Sequence, residues 1–164
     1  MTENETEEYE VLIPGESFAL LEFEREDKLG SAVVNIALRG FEPKIVFGWH
    51  LSMIIELKEV DDDLMPNDAE RDVVDEFGKT LDLAIIGKDT EKPNAVFLGQ
   101  VLWNGGLELV WRVFDPDPVN DYLQSIVNEK GDRPRPFDFR MEHDVEWKLC
   151  EWYLEEHPMA EEEI

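Results

Sequence analysis

The segment KIVFGWHLSMIIELK, residues 44–58, decides the fold. Ile45, Phe47, Trp49, Leu51, Met53, Ile55 and Leu57 fall at its odd positions, while Lys44, His50, Ser52, Glu56 and Lys58 lie on the even face. Side chains alternate between faces along a strand, so seven apolar residues at period two predict a long strand with one buried face, bent or interrupted at Gly48. Asp61-Asp62-Asp63 ends the run. Asn67, with Glu70 three residues on, has the spacing of a capping box and predicts a helix start. Ala69, Val73, Phe77 and Leu81 follow at intervals of four, with Val74 beside them. Glu70, Arg71, Asp72, Asp75, Glu76 and Lys79 take the opposite side, which predicts an amphipathic helix lying on a sheet.

Similar patterns continue on both sides of this unit. Upstream, Ser17–Arg25 and Ser31–Leu38 alternate as two strands, with Leu29-Gly30 in the turn between them. Downstream, Ala95, Phe97, Gly99, Val101 and Trp103 alternate toward Asn104-Gly105-Gly106, and Leu107, Leu109, Trp111 and Val113 alternate away from it. Asn-Gly and Gly-Gly supply the positive-φ positions of a tight hairpin. Prolines at Asp115-Pro116-Asp117-Pro118 suit a helix start. Val119, Tyr122, Leu123, Ile126 and Val127 then form a stripe that Gly131 ends. Pro136–Met141 reads as a strand. Asp144 caps a last helix with Val145, Leu149 and Trp152 on one face and Trp147 and Cys150 alongside. From residue 44 the order is strand, helix, strand, strand, helix, strand. This predicts an α+β protein, a ferredoxin-like split βαββαβ sandwich extended by two N-terminal antiparallel strands and a C-terminal helix. A two-layer sandwich of another topology is the alternative.

The chain has 164 residues, 43% of them hydrophobic and five of them tryptophan, enough for the core of one domain. Forty acidic residues face fifteen basic ones, giving a net charge of -25. That charge excludes an ordinary electrostatic grip on nucleic acid or an anionic membrane. Residues 1–10 and 155–164 hold five glutamates each and no lysine or arginine, and are expected to be acidic disordered ends around a single domain over 11–154. Thirty acids against fifteen bases remain in between, so the acidity belongs to the folded body. Residues 1–10 have no basic start leading into an apolar run, and no stretch reaches the roughly 20 apolar residues of a membrane span. The expectation is a soluble, cytoplasmic protein. Salt adaptation is a weaker reading of the charge, because eight of the fifteen bases are lysine.

Catalytic patterns are scarce. No glycine-rich phosphate loop, HExxH or Gly-x-Ser-x-Gly elbow is present. Among His50, His143 and His157, only His50 sits on a well-defined strand, on its polar face. Asp61-Asp62-Asp63 with Asp68 offers oxygen ligands to a hard cation, but without EF-hand spacing it reads as a solvated loop. Cys150, the single cysteine, excludes an internal disulfide and reads as a small buried hydrophobe. Trp49, Trp103 and Trp111 read as core, or as anchors at an interface rim. Arg133, Arg135 and Arg140 are expected to pair with local acids.

A strand ending in acids, then Leu64-Met65-Pro66, then an acidic helix resembles an uncharacterised bacterial domain-of-unknown-function family. The Val96–Trp103 strand, the Trp111–Asp115 strand entering a proline-started helix, and Asp144 with Trp147 extend the likeness over Ile45–Leu154. That family is itself distantly similar to the type B regulators of ribonuclease activity, small acidic proteins that bind a ribonuclease and restrain it. The resemblance implies an α+β sandwich acting by protein contact, and it carries over no catalytic residue. The chain lacks the very long acidic tail of those regulators.

Three functions follow as expectations. The first is a non-enzymatic acidic module that neutralises a basic protein, most naturally a nuclease, as an immunity protein or ribonuclease regulator. Its contact residues are Glu59, Asp61, Asp62, Asp63, Asp72, Asp75 and Glu76, and it needs no cofactor or metal. A variant is a nucleic-acid mimic with carboxylates spaced like phosphates. The second is a structural or regulatory subunit whose strand edges or last helix dock on another chain. The third is an enzyme with a carboxylate–His or metal site around His50.

Overall fold

The computed structural model describes residues 12–89, 91–128, 133–155 and 161–163. The elements run β1 (Phe18–Arg25), β2 (Lys28–Asn35), β3 (Trp49–Glu56), α1 (Asp68–Ile86), β4 (Ala95–Trp103), β5 (Gly106–Val113), α2 (Pro116–Asn128), β6 (Phe137–His143), α3 (Glu151–Leu154) and β7 (Glu161–Glu163). Short 3-10 turns occupy Ile36–Leu38, Lys44–Phe47 and Lys148–Cys150. The fold is α+β. One sheet runs in the order β6-β3-β5-β4-β2-β1-β7, and every neighbouring pair is antiparallel.

Both faces of this sheet are covered, by different parts of the chain. On one face, α1 and α2 bury Val74, Phe77, Leu81, Ile85, Val119 and Leu123 against Leu51, Met53 and Ile55 of β3 and Leu107, Leu109, Trp111 and Val113 of β5. On the other, the segments around 36–47 and 144–154 lay Leu38, Phe41, Phe47, Trp147, Cys150 and Tyr153 over Leu21, Val34, Leu98 and Val110. Strand β5 therefore contributes alternate residues to two cores.

Local changes of backbone geometry account for most departures from the period-two reading. The strand expected over 44–58 begins only at Trp49, because Lys44–Phe47 form a 3-10 turn that ends at Gly48. Phe47 drops into the second core, while Ile45 is 67% exposed. In β2 the strand starts at Lys28, so Leu29-Gly30 lie within it. The reversal is made by Glu26 and Asp27, both at positive φ. Strand β2 also stops at Asn35, and Ile36–Leu38 turn as 3-10.

In β4 a bulge between Phe97 and Gly99 changes the alternation. Ala95 and Leu102 belong to the helix-side core, and Val96, Leu98 and Val101 to the other. Thus Ala95 and Val101, expected on one face, lie on opposite faces. Gly99 fits this place because a Cβ there would lie 2.7 Å from the Val33 carbonyl oxygen of β2.

Helix α1 forms with the expected cap: Asn67 Oδ1 accepts from the Glu70 N–H at 2.8 Å. Its buried line is Glu70, Val74, Phe77, Leu81 and Ile85, leaving Ala69 exposed and Val73 half-buried. Helix α2 starts at Pro116, and its expected stop at Gly131 lies outside the described residues. The last helix is much reduced. Trp147, Cys150 and Tyr153 face the core at three-residue spacing across the 3-10 turn Lys148–Cys150 and the short α3, and Leu149 is 44% exposed. The expected face of Val145, Leu149 and Trp152 assumed α-helical spacing. Within the segment expected to be an acidic disordered end, Glu161–Glu163 pair with Ala19–Leu21 and occupy the open backbone edge of β1. Residues 1–11 lie outside the described residues.

Candidate functional site

Helix α1 and the loop before it carry the predicted contact residues. Glu59, Asp61, Asp62, Asp63, Asp72, Asp75 and Glu76 are all exposed. The loop is held by Asp61, whose Oδ1 accepts the N–H groups of Asp63 and Met65 at 2.8 and 3.0 Å. Glu59 accepts from the Asn67 side chain at 3.2 Å. Residues 68, 72, 75 and 76 recur at three- and four-residue steps, so their carboxylates share one stripe of the helix. Arg71 and Lys79 are exposed on the same helix and dilute the stripe without neutralising it. Among the described residues, Asp61–Asp63 and Asp68 do not converge into a metal-type grouping.

Glu70 departs from the solvent-facing reading. It is fully buried, and its carboxylate takes Arg135 through both oxygens and the Lys58 N–H at 2.7 Å. The Arg135 hydrogen bonds outweigh the cost of burial and hold Glu70 down at about 2. Of the three arginines expected to pair with local acids, Arg135 does so, whereas among the described residues Arg133 and Arg140 form no ion pair. Arg133 lies over the Phe137 ring at 5.7 Å.

A buried polar centre lies on the other side of the sheet, where the even face of β3 meets β5. Alternation along β5 puts Arg112 on the face of Val110, and the 144–154 segment closes over it. Arg112 is fully buried. Its Nη1 donates to Asp144 Oδ2 at 3.0 Å, and lies 3.2 Å from His50 Nδ1 and 3.3 Å from Cys150 Sγ. Its other nitrogens hold the Phe47 and Asp144 carbonyls, and the guanidinium lies 4.8 Å from the centre of the Trp147 ring. Guanidinium can only donate, so His50 Nδ1 accepts and the ring proton is assigned to Nε2.

Burial, followed by the Arg112 charge, pushes His50 down to about 4. Burial pushes the Cys150 thiol up to about 11, against the pull of Arg112. Asp144 is held below its ordinary range. Burial opposes that shift, but the Leu149 N–H, Arg112 and the Lys148 N–H outweigh it. His50, Asp144 and Cys150 place one ligand-type atom each within 4.8 Å of the others, a donor set that suits zinc. All three atoms instead face the same Arg112 nitrogen. The guanidinium supplies the positive charge at the focus of the cluster, and a metal would have to displace it.

Next to this centre, a cleft of about 360 Å³ opens on the sheet, lined by His50, Ser52, Glu108, Arg140, Glu142 and Tyr153. Glu108 accepts from Ser52 at 2.6 Å and from Tyr153 at 2.9 Å. Burial and the Glu108 charge raise the Tyr153 hydroxyl. On the helix side, Asp82 accepts from Trp111 Nε1 at 2.8 Å, and burial raises its carboxyl.

Trp111 is core, whereas Trp49 and Trp103 are half-buried. The sequence reading missed Arg112 and Asp144 as partners of His50. The available signal was the even-position set of β5, which becomes interior once β5 is central and covered on both faces. Compared with known proteins, the chain matches no family model and no curated protein. Among the described residues, no helix is long and apolar enough to cross a membrane.

Proposed function

We propose that this chain is a non-enzymatic acidic module that binds a basic protein and neutralises it, a nuclease being the most natural target. The observation that carries this reading is the exposed carboxylate set Asp61–Asp63, Asp72, Asp75 and Glu76. Among the described residues, none of these six forms an ion pair. Unpaired, solvated carboxylates on a helix and the loop before it attract a lysine- or arginine-rich surface at long range and lose little on meeting it. A nuclease carries such a surface because it must hold nucleic acid, and covering that surface would inhibit it by occlusion.

The likeness to the type B ribonuclease regulators belongs to the same proposal. So does the ferredoxin-like reading of β3-α1-β4-β5-α2-β6, for which the strand order β6-β3-β5-β4 and the two helices on one face speak. The polar centre favours a structural role over chemistry. A thiol pushed up and an imidazole pushed down are shifted against nucleophile–base work, and Arg112 already satisfies the ligand atoms. The soluble, cytoplasmic setting is proposed with the rest.

The test begins with capture from lysate of the source organism at low salt, using the wild-type chain and an Asp72→Asn/Asp75→Asn/Glu76→Gln variant as bait. The captured protein is then titrated against both by calorimetry. The expectation is a stoichiometric basic partner whose affinity falls at least about tenfold for the variant and falls steeply with salt. Equal capture by both baits, or only generally basic proteins from both, would sink the reading.

A further inference from the structure

The end of the sheet at β6 has features that the function above does not use. Strand β6 pairs with β3 on one side only and is the last strand in the order. The Pro136 carbonyl accepts from Glu56 N–H, and the Asp144 N–H donates to the Gly48 carbonyl. Backbone direction alternates along an antiparallel ladder. Residues 136, 138, 140, 142 and 144 therefore turn their backbone groups toward β3. Phe137, Phe139 and Met141 turn theirs away from the sheet, where no backbone partner meets them among the described residues. Such an edge is a template for another strand.

The side chains indicate which strand fits. Phe137, Phe139 and Met141 face the helix-side core and are only partly buried. Asp138, Arg140 and Glu142 alternate with them on the other face and are exposed. A strand related by a two-fold axis through Phe139 would set Phe139 opposite its own copy and Phe137 opposite Met141. Asp138 then meets Arg140, and Arg140 meets Asp138. These two charge pairs fall at the non-hydrogen-bonded positions, where cross-strand side chains come closest. Phe137, Phe139 and Met141 would exchange about six backbone hydrogen bonds with the copy, two per residue pair.

The edge is also where a second copy of so acidic a chain can approach. The molecule as a whole carries -25. Yet β6 itself carries a net charge of only -1, Arg140 standing between Asp138 and Glu142; Arg133 lies over the Phe137 ring at its start, and Arg135 and Glu70 cancel beside it. The opposite end of the sheet is β7, a run of three glutamates.

We propose that β6 is a self-complementary interface through which two copies of this chain join edge to edge, making one continuous sheet about a two-fold axis. The helix α1 stripe lies on a different element, so this proposal stands or falls independently of the basic partner. Long-range repulsion between the two acidic bodies opposes the join, and salt screens that repulsion more than it weakens two charge pairs in contact. The dimer therefore strengthens as salt rises, opposite to the salt response of binding to a basic protein.

The test is sedimentation velocity on the purified full chain at about 1 to about 100 µM protein, in about 20 and about 300 mM NaCl. The expected result is a monomer–dimer equilibrium shifted toward dimer by concentration and by salt. Arg140→Asp sets like charges opposite each other and is expected to weaken the dimer at least about tenfold. Asp138→Arg/Arg140→Asp restores complementarity and with it the dimer. Arg71→Asp adds the same negative charge on helix α1 and leaves the dimer largely intact. Circular dichroism confirms that each variant is folded. A chain that stays monomeric at the top concentration in both salts overturns the proposal. So does a dimer that Arg140→Asp leaves unchanged, or one that Arg71→Asp weakens equally.

Discussion

At the scale of single residues, two buried charges fasten distant segments to the sheet. Arg112 joins β5 to the Lys44–Phe47 turn through the Phe47 carbonyl and to the 144–154 segment through Asp144. Removing one partner of a buried pair leaves the other uncompensated, at about 3–5 kcal/mol. Arg112→Met is expected to lose stability of that order, read as a lower urea midpoint. A change under about 1 kcal/mol would show that Asp144 is satisfied without it. Glu70 makes a different forecast. Its folded pKa of about 2 lies below its ordinary 4.5, so its contribution is full above about pH 4.5 and is lost as pH falls toward 2. Discounted for solvent reaching Arg135, that contribution is about 2 kcal/mol. Comparing Glu70→Gln with wild type in urea at pH 7 and pH 3 tests this, because the stability gap between the two should shrink at the lower pH. An equal gap at both would place the Arg135 contact outside the folding balance. Neither Arg112 nor Glu70 was legible as buried. A charge at an even strand position, or in the first turn of a helix, looks the same in sequence whether it faces water or a covering segment from far along the chain.

Elements were far more legible where only one face was buried. The cap and extent of α1, the β4–β5 turn at Asn104-Gly105 and the proline start of α2 follow from local chemistry, and each is present, although the buried line of α1 is displaced from Ala69 and Val73 to Glu70 and Val74. The misread elements are those where local geometry changes period. Examples are the 3-10 turn before Gly48, the three-residue spacing of Trp147, Cys150 and Tyr153, and the β4 bulge. Gly99 has no turn signature, because the demand on it comes from the neighbouring strand β2. Gly99→Ala drives a methyl group against the Val33 backbone, where no side chain can give way. A loss of about 1–3 kcal/mol is expected. A thermal midpoint within a degree or two of wild type would mean that β2 and β4 can separate slightly at no cost.

At the scale of the molecule, charge and coverage divide the labour. Asp72, Asp75 and Glu76 of α1 face solvent, β6 is close to neutral, and each sheet face has its own core. Net charge was readable at once, but its distribution was not, because that depends on which strand ends the sheet. The candidate contact residues came from the sequence. The polar centre did not, since its four groups come from β3, β5 and the 144–154 segment. The two cores also differ in when they can be finished during synthesis. The helix-side layer draws on residues from β3 up to β6. The other face is laid out by residue 113 as Leu21, Val34, Leu98 and Val110, but part of its cover, Trp147, Cys150 and Tyr153, emerges only after α2 and β6. A growing chain therefore passes through an interval with a formed sheet and a partly bare apolar side, the state most exposed to aggregation.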